Sequence, residues 1–246
     1  MTSAPESTFA DATAVTANGD GSFTGDIDSR WTVAGNPNGG YLQAMMARAA
    51  QQISPHPHVV AASTHFLRAP ECGPTNLQVT ALREGRSASQ FRVGLFQDGV
   101  LKAETTFALG DLSAVEQAPQ WAAQTLPTPV RPFDQCPRFL PPQEVFPVQI
   151  LEHVALHLEP EALAFTAGQP RGLGLLTGWL DLPGGADFDS TSLLLAADCF
   201  PPATFDIELT GWVPTLELST YVRALPAPGP VQIHFQANLI QGNRVD

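Results

Sequence analysis

Asn36-Pro37-Asn38-Gly39-Gly40-Tyr41-Leu42-Gln43-Ala44-Met45-Met46-Ala47-Arg48-Ala49-Ala50 places polar turn residues and two glycines directly before a run of helix formers. That order is a helix start signal. The helix it predicts, residues 39–53, ends where Ser54-Pro55 blocks continuation. Tyr41, Leu42, Met45, Met46 and Ala49 cover most of its circumference, so it is expected to be buried. A buried helix that opens on Gly-Gly offers free N–H groups and a positive dipole end to an oxyanion or substrate. The plainer alternative is that the glycines only allow a sharp turn and close packing.

Downstream of this helix the hydrophobic period changes. Val60 to Arg68, Asn76 to Arg83, Gln90 to Gln97 and Val100 to Leu109 read as four strands, with Asp98-Gly99 as a hairpin turn. Upstream, Ala12–Val15, Ser22 to Ile27 and Trp31-Thr32-Val33 read as short strands after a flexible lead-in. The first half, residues 1–112, is thus one helix followed by a four-stranded meander. Residues 113–146 are rich in proline (Pro119, Pro127, Pro129, Pro132, Pro137, Pro141 and Pro142), which predicts a semi-rigid linker. In the second half, residues 147–246, strands are expected at Val148–Leu158, Gly174–Leu182, Thr215–Ala224 and Val231–Ile240. A turn falls at Gly184-Gly185, and Asp189-Ser190 caps a helix running from Thr191 to about Asp198.

The two halves repeat. Thr64-His65-Phe66-Leu67-Arg68-Ala69 with Gly73-Pro74 is answered by Ser219-Thr220-Tyr221-Val222-Arg223-Ala224 with Gly229-Pro230. Each copy follows a buried helix, so the chain reads as two copies of one domain. The first copy continues into two further strands. The second copy reaches Gly242-Asn243-Arg244, the counterpart of Gly85-Arg86-Ser87, at its end, so a terminal hairpin is expected to be missing there.

Composition narrows the function. The 246 residues carry a formal net charge of −12, with 43% hydrophobic and 15% charged residues. That excludes sequence-independent nucleic-acid binding, which needs a basic surface. Arg68, Arg83, Arg86, Arg92 and Lys102 gather in the first sheet, as a solvated strand face or as a phosphate patch. Cys72, Cys136 and Cys199 are odd in number and widely spaced, which predicts neither a disulfide framework nor a zinc ribbon. The polar, acidic N-terminus has no signal-peptide pattern, and cytoplasm is the default expectation. His153 and His157 have metal-ligand spacing for a helix, but the alternation around them argues a strand. No Gly-x-Ser-x-Gly elbow is present, which speaks against an α/β serine hydrolase.

A buried helix wrapped by an antiparallel sheet, in tandem, is a double hot-dog, an α+β fold. The chain resembles the thioesterase-like superfamily related to acyl-CoA thioesterase II. The resemblance rests on Trp31 with Gly35 to Tyr41, Thr64 to Arg68, Leu82 to Ser87 and Gln97-Asp98-Gly99. In the second half it rests on Ala197 to Pro202 and Trp212 to Leu218. It implies an acyl-CoA substrate hydrolysed to free acid and CoA, with no metal or redox cofactor and with a homodimer or higher homo-oligomer. It also implies that a helix Asp, a strand Thr and a C-terminal Gln act on the attacking water. Asp198 and Thr215 match the first two; the Gln would fall in the missing hairpin. The expected substrate-binding set is Asn38, Gly39, Gly40 and Tyr41, with His65, Arg86 and Ser87 from the first sheet, and the acyl chain along the buried helix.

The local reading of Asp198 leaves two possibilities. Near the C-terminus of its own helix, among apolar neighbours, its charge is disfavoured, as suits a general base. Otherwise it turns outward and bonds the Pro201-Pro202 turn. His65 reads more simply as a packed strand histidine than as a catalytic one. The rival function is a non-catalytic acyl or acyl-CoA binding protein on the same fold. A hot-dog hydratase lacks support, because Asn36-Pro37-Asn38-Gly39 has neither the Asp nor the His it would need.

Overall fold

The computed structural model describes residues 8–116, 118–122, 130–141, 147–182, 184, 186–209, 211 and 213–246. Pro127, Pro129 and Pro142 of the proline-rich segment, Gly185 of the expected turn and Trp212 of the second-half motif lie outside them.

The chain begins with a single helical turn, α1 (Phe9–Ala12), where a strand start was expected; Thr8 and Asp11 cap it reciprocally, and Phe9 and Ala12 are buried. β1 (Val15–Ala17) and β2 (Ser22–Ile27) follow as a hairpin. Trp31 lies in a 3-10 turn (Ser29–Trp31), not in a strand. β3 (Thr32–Val33) then pairs with β4 (Asn36–Pro37) across Ala34 and Gly35, both at positive φ, as a two-residue hairpin turn requires. That small hairpin delivers the chain to α2 (Gly39–Ile53), the helix read from the opening stretch. Met45, Met46, Ala47, Ala49 and Ala50 have no exposed surface.

β5 (His58–Phe66), β6 (Gly73–Glu84), β7 (Ala88–Gln97) and β8 (Val100–Gly110) form the meander. Their order with the earlier strands is β1-β2-β6-β7-β8-β5, antiparallel throughout, and α2 is packed against the inner face. β7 shows why this side is core: Phe91, Val93 and Leu95 are fully buried, while Arg92 between them is exposed.

The second half departs from expectation at its start. Residues 149–152 form a 3-10 turn, and only β9 (Ala155–Leu158) is strand. Ile150, Leu151 and Val154 all face the core, a spacing that suits a tight turn and not a pleat. β10 (Leu175–Asp181) pairs with β9; α3 (Ser192–Ala196) is five residues, much shorter than α2. β11 (Glu217–Tyr221) does not join β10. It pairs antiparallel with β5, with Ser219 opposite Ser63 and Leu218 opposite Thr64, and becomes the seventh strand of the first sheet. β12 (Val231–Gln236) pairs with β10, so the second sheet runs β12-β10-β9. β13 (Ile240–Gln241) and β14 (Arg244–Val245) make a small hairpin. In the first half β7 and β8 stand between β6 and β5. Among the described residues no strand stands between their counterparts, β12 and β11.

The helices lie side by side and antiparallel. At one end the Arg48 guanidinium meets Asp189 at 3.3 Å, the Thr191 hydroxyl donates to Gln51 Oε1 at 3.0 Å, and Val59 N–H donates to Ser190 Oγ at 3.1 Å. At the other end the start of α2 meets the end of α3.

Candidate functional site

Asp198 lies just past α3, and its carboxylate reaches across to the first turn of α2. Its Oδ2 accepts Gly40 N–H at 2.9 Å and Asn38 Nδ2 at 3.0 Å; the same Asn38 nitrogen also donates to Asp198 O at 2.8 Å. Both of these carboxylate bonds go to Oδ2. Asn38 is also the N-cap of α2, with its Oδ1 accepting Tyr41 N–H at 2.9 Å. One short side chain therefore starts the helix with its oxygen and holds the acid with its nitrogen. The carboxylate occupies the anion-binding end of a helix, though not of its own.

This revises the role read for Gly39 and Gly40. The Gly40 N–H is committed to Asp198, and Gly39 N–H also faces that carboxylate, so this helix end holds the acid and is not a vacant oxyanion donor. The glycines are nonetheless required by packing. A Cβ on Gly40 would stand 2.5 Å from Leu194 O and 2.9 Å from Asp198 Cβ; one on Gly39 would stand 2.8 Å from the Phe66 ring and 3.0 Å from Asp198 Oδ2. Both sequence readings of the Gly-Gly pair, close approach and anion contact, thus apply at one place.

Burial pushes the Asp198 carboxyl up to about 6, against the pull of the Gly40 and Gly39 N–H groups and the Asn38 amide. At neutral pH it is still mostly ionised, but much closer to titration than an ordinary carboxylate. Cys199, the next residue, is a poor nucleophile: burial pushes its thiol well above the ordinary range, and the Asp198 charge adds to this.

The other sequence-predicted residues disperse. Thr215 is exposed and precedes β11 instead of opening it. It still lies at the right corner: Leu216 O accepts Phe66 N–H at 3.1 Å, and the Phe66 ring lies against Gly39. No hydrogen bond joins Thr215 to Asp198 among the described residues. Tyr41 is fully buried, its hydroxyl donating to Ala12 O at 2.9 Å and accepting Asp28 N–H at 3.1 Å; it is a core residue. His65 is exposed on β5, opposite Glu217 on one side and Glu104 on the other. Arg86 and Ser87 are exposed in the β6–β7 turn, where His56, just beyond the C-terminus of α2, contacts Arg86 O at 3.2 Å. They stand at the far end of the helix from Asp198, about 20 Å away along a 15-residue helix. The structure therefore does not bring Arg86, Ser87, His65 or the Tyr41 hydroxyl to the carboxylate.

His153 stacks on Trp31 at 5.8 Å and His157 contacts Cys136 O at 2.7 Å. Among the described residues no group of three His, Cys, Asp or Glu side chains is placed to hold a metal. A surface cleft of about 540 Å³, lined by Asp11, Asp26, Asp28, Arg30 and Cys72 among others, shares no residue with the Asp198 site. Among the described residues no helix is long and apolar enough to cross a membrane.

Replacing Asn38 by alanine should move the acid further out of range. With one donor gone, the Asp198 carboxyl rises above its present value of about 6, and the acid limb of any activity that depends on its ionised form shifts upward. Losing the α2 cap also costs about 1 kcal/mol of stability. A pH–rate profile together with urea unfolding separates the two effects; an unmoved acid limb would rule out the tuning role of Asn38.

Comparison with known proteins agrees with this architecture. Residues 27–110 match the acyl-CoA thioesterase N-terminal domain and residues 123–246 match the acyl-CoA thioesterase C-terminal domain. An uncharacterised protein of Mycobacterium tuberculosis is 30% identical over 233 residues, covering 86% of this chain and 78% of that protein. A crystal structure from Thermobifida fusca, assigned as a thioesterase II, superposes with a TM-score of 0.85 at 31% identity, covering 94% of this chain and 88% of that one. A hot-dog protein of unknown function from Alicyclobacillus acidocaldarius, at 21% identity, shares the fold with a TM-score of 0.79 over 95% of this chain and 87% of its own. With both domain types matched in order, and the two halves folded as helix-packed antiparallel sheets, the chain belongs to the acyl-CoA thioesterase family as a double hot-dog protein.

Proposed function

We propose that this protein hydrolyses an acyl-CoA thioester to free acid and CoA, with Asp198 as general base. The observation that carries the reading is a carboxylate whose Oδ2 is held at a helix N-terminus by Gly40 and Asn38, with its affinity for protons raised toward neutrality. Oδ1 takes a proton from water. That water's oxygen then bonds to the thioester carbonyl carbon, and the C–S bond breaks. The departing sulfur recovers the proton from Asp198. The Thr215 hydroxyl, ahead of β11 at the same corner, is the group that would steady the water. The Gly40 N–H is already committed to Asp198, so the carbonyl oxygen must draw its polarisation from another donor.

A purely binding role explains less. A site that only holds an acyl group gains nothing from a carboxylate whose charge the fold disfavours. The direct test is release of CoA thiol from acyl-CoA by the wild type and by Asp198→Ala. The wild type should turn over and the variant should not; equal rates would remove this mechanism. Thr215→Val should lower kcat by about 10-fold or more if the hydroxyl positions the water, and leave it unchanged if it does not.

A further inference from the structure

The seam between α2 and β5 is partly exposed at its mouth and closed behind it. At the mouth, Gly39, Phe66 and Asp198 are each only partly buried. Gln43 lies four residues on from Gly39 along α2, and Thr64 lies two residues back from Phe66 along β5. These spacings put each on the same face as its neighbour, about 6 Å deeper along the helix and about 7 Å deeper along the strand. Gln43, Thr64 and Thr105 have no exposed surface.

These side chains form a closed polar plug. Gln43 Nε2 donates to Thr64 Oγ1 at 2.6 Å and to Leu218 O at 3.3 Å, while its Oε1 accepts the Thr220 hydroxyl at 3.3 Å. The Thr64 and Thr105 hydroxyls share a hydrogen bond of 2.8 Å. Gln43 is the one long polar side chain in the buried part of a helix otherwise made of Gly, Ala, Met, Leu and Tyr there. The expectation that an acyl chain runs along the buried helix meets this obstacle. Methylene groups threaded past Asp198 would have to break satisfied buried hydrogen bonds and leave the amide and hydroxyls unpaired.

We propose that Gln43 sets the acyl specificity of this site by closing the α2–β5 seam behind Asp198, so that short-chain acyl thioesters are accepted and long-chain ones are rejected. The inference rests on the hydrolase reading above. It makes Gln43 a specificity-determining residue, supported by Thr64, Thr105 and Thr220.

The test compares kcat/KM for butyryl-CoA and decanoyl-CoA in the wild type, Gln43→Ala and Gln43→Met. In the wild type the decanoyl-to-butyryl ratio should be below roughly one tenth, and Gln43→Ala should raise it at least about 10-fold. Gln43→Met keeps the side-chain length without the amide and should raise the ratio in the same direction, which guards against an alanine variant that fails to fold. A merely structural amide would lower both rates together and leave the ratio unmoved. A wild-type ratio near or above one, or an unmoved ratio in a folded variant, would overturn the proposal. If the wild type turned over neither substrate, the hydrolase reading would fail first. Binding of non-hydrolysable butyryl and decanoyl thioether analogues of CoA would then decide the specificity separately: butyryl preference supports the plug, and equal or tighter decanoyl binding overturns it.

Discussion

Asp198→Asn should yield an inactive protein that is more stable than the wild type at neutral pH. The carboxyl is raised from 3.8 to about 6 by burial, which means that the folded state prefers its neutral form. At 1.36 kcal/mol per unit this preference amounts to about 3 kcal/mol. The native state holds a proton on Asp198 that the unfolded chain has already released between pH 3.8 and 6. The stability contribution of the protonated acid is therefore fully present below pH 3.8 and is lost as the pH rises through about 6. Asparagine avoids that loss. Its amide oxygen can take the place of Oδ2 and accept both Gly40 N–H and Asn38 Nδ2. The melting temperature at pH 7.5 should rise by several degrees, on a scale of about 2–4 °C per kcal/mol for a chain of this size, and the gain should shrink toward zero by pH 4. Loss of the base should lower kcat/KM by about 10²- to 10⁴-fold. A variant that melts lower than the wild type at pH 7.5, or that keeps its activity, would refute this account of the carboxylate.

Gly40→Ala should damage fold and site together. The added methyl meets Leu194 O at 2.5 Å, Asp198 Cβ at 2.9 Å and Leu195 Cα at 3.0 Å. Two of these are backbone atoms in or beside the short turn of α3, so no side-chain rotation relieves the contact. The crossing of α2 and α3 must widen, which costs about 3 kcal/mol by the scale of overpacked cores. Widening also draws Asp198 away from the Gly40 N–H. Gly39→Ala is the informative contrast: its methyl meets the Phe66 ring, which can swing, and the Asp198 Oδ2 atom. It should unfold at a urea concentration nearer to wild type while losing more activity than stability. Similar midpoints for both variants would show that the helix crossing is more compliant than its contacts indicate.

Much of this was legible from residue order. α2 could be bounded because Asn38-Gly39-Gly40 and Ser54-Pro55 act on the backbone itself, and the meander because alternation and Asp98-Gly99 act locally. The stretch 148–158 reads as one strand but folds as a turn and a shorter strand, because Ile150, Leu151 and Val154 satisfy the core through the turn, and apolar spacing over so short a segment does not separate turn from strand. α3 spans Ser192–Ala196 where Thr191 to about Asp198 is expected, because length in a buried helix is fixed by what it packs against. The site was legible as a pairing of Gly39-Gly40 with Asp198, but with the wrong direction of service. Sequence shows that a helix start has unfilled N–H groups; it does not show which group fills them. Arg86 and Ser87 were grouped with the site by motif, and only the strand register reveals that their turn lies at the other end of α2. Gln43, a glutamine inside an alanine- and methionine-rich helix, is a visible break in pattern, but the pattern does not show what it bonds. The two-sided role of Asn38 was equally hidden, since a cap residue accounts for its oxygen and says nothing about its nitrogen.

β11 leaves its own half to pair with β5, and Asp198 leaves its own half to bond Gly40, 158 residues earlier in the chain. Contacts of such separation form late, because long loops must close before they are rewarded. The helix and meander of residues 39–110 can gather around local hairpins well before that. Recovery of a working site after unfolding would then lag the return of secondary structure, and the interval between the two would time the docking of one half upon the other.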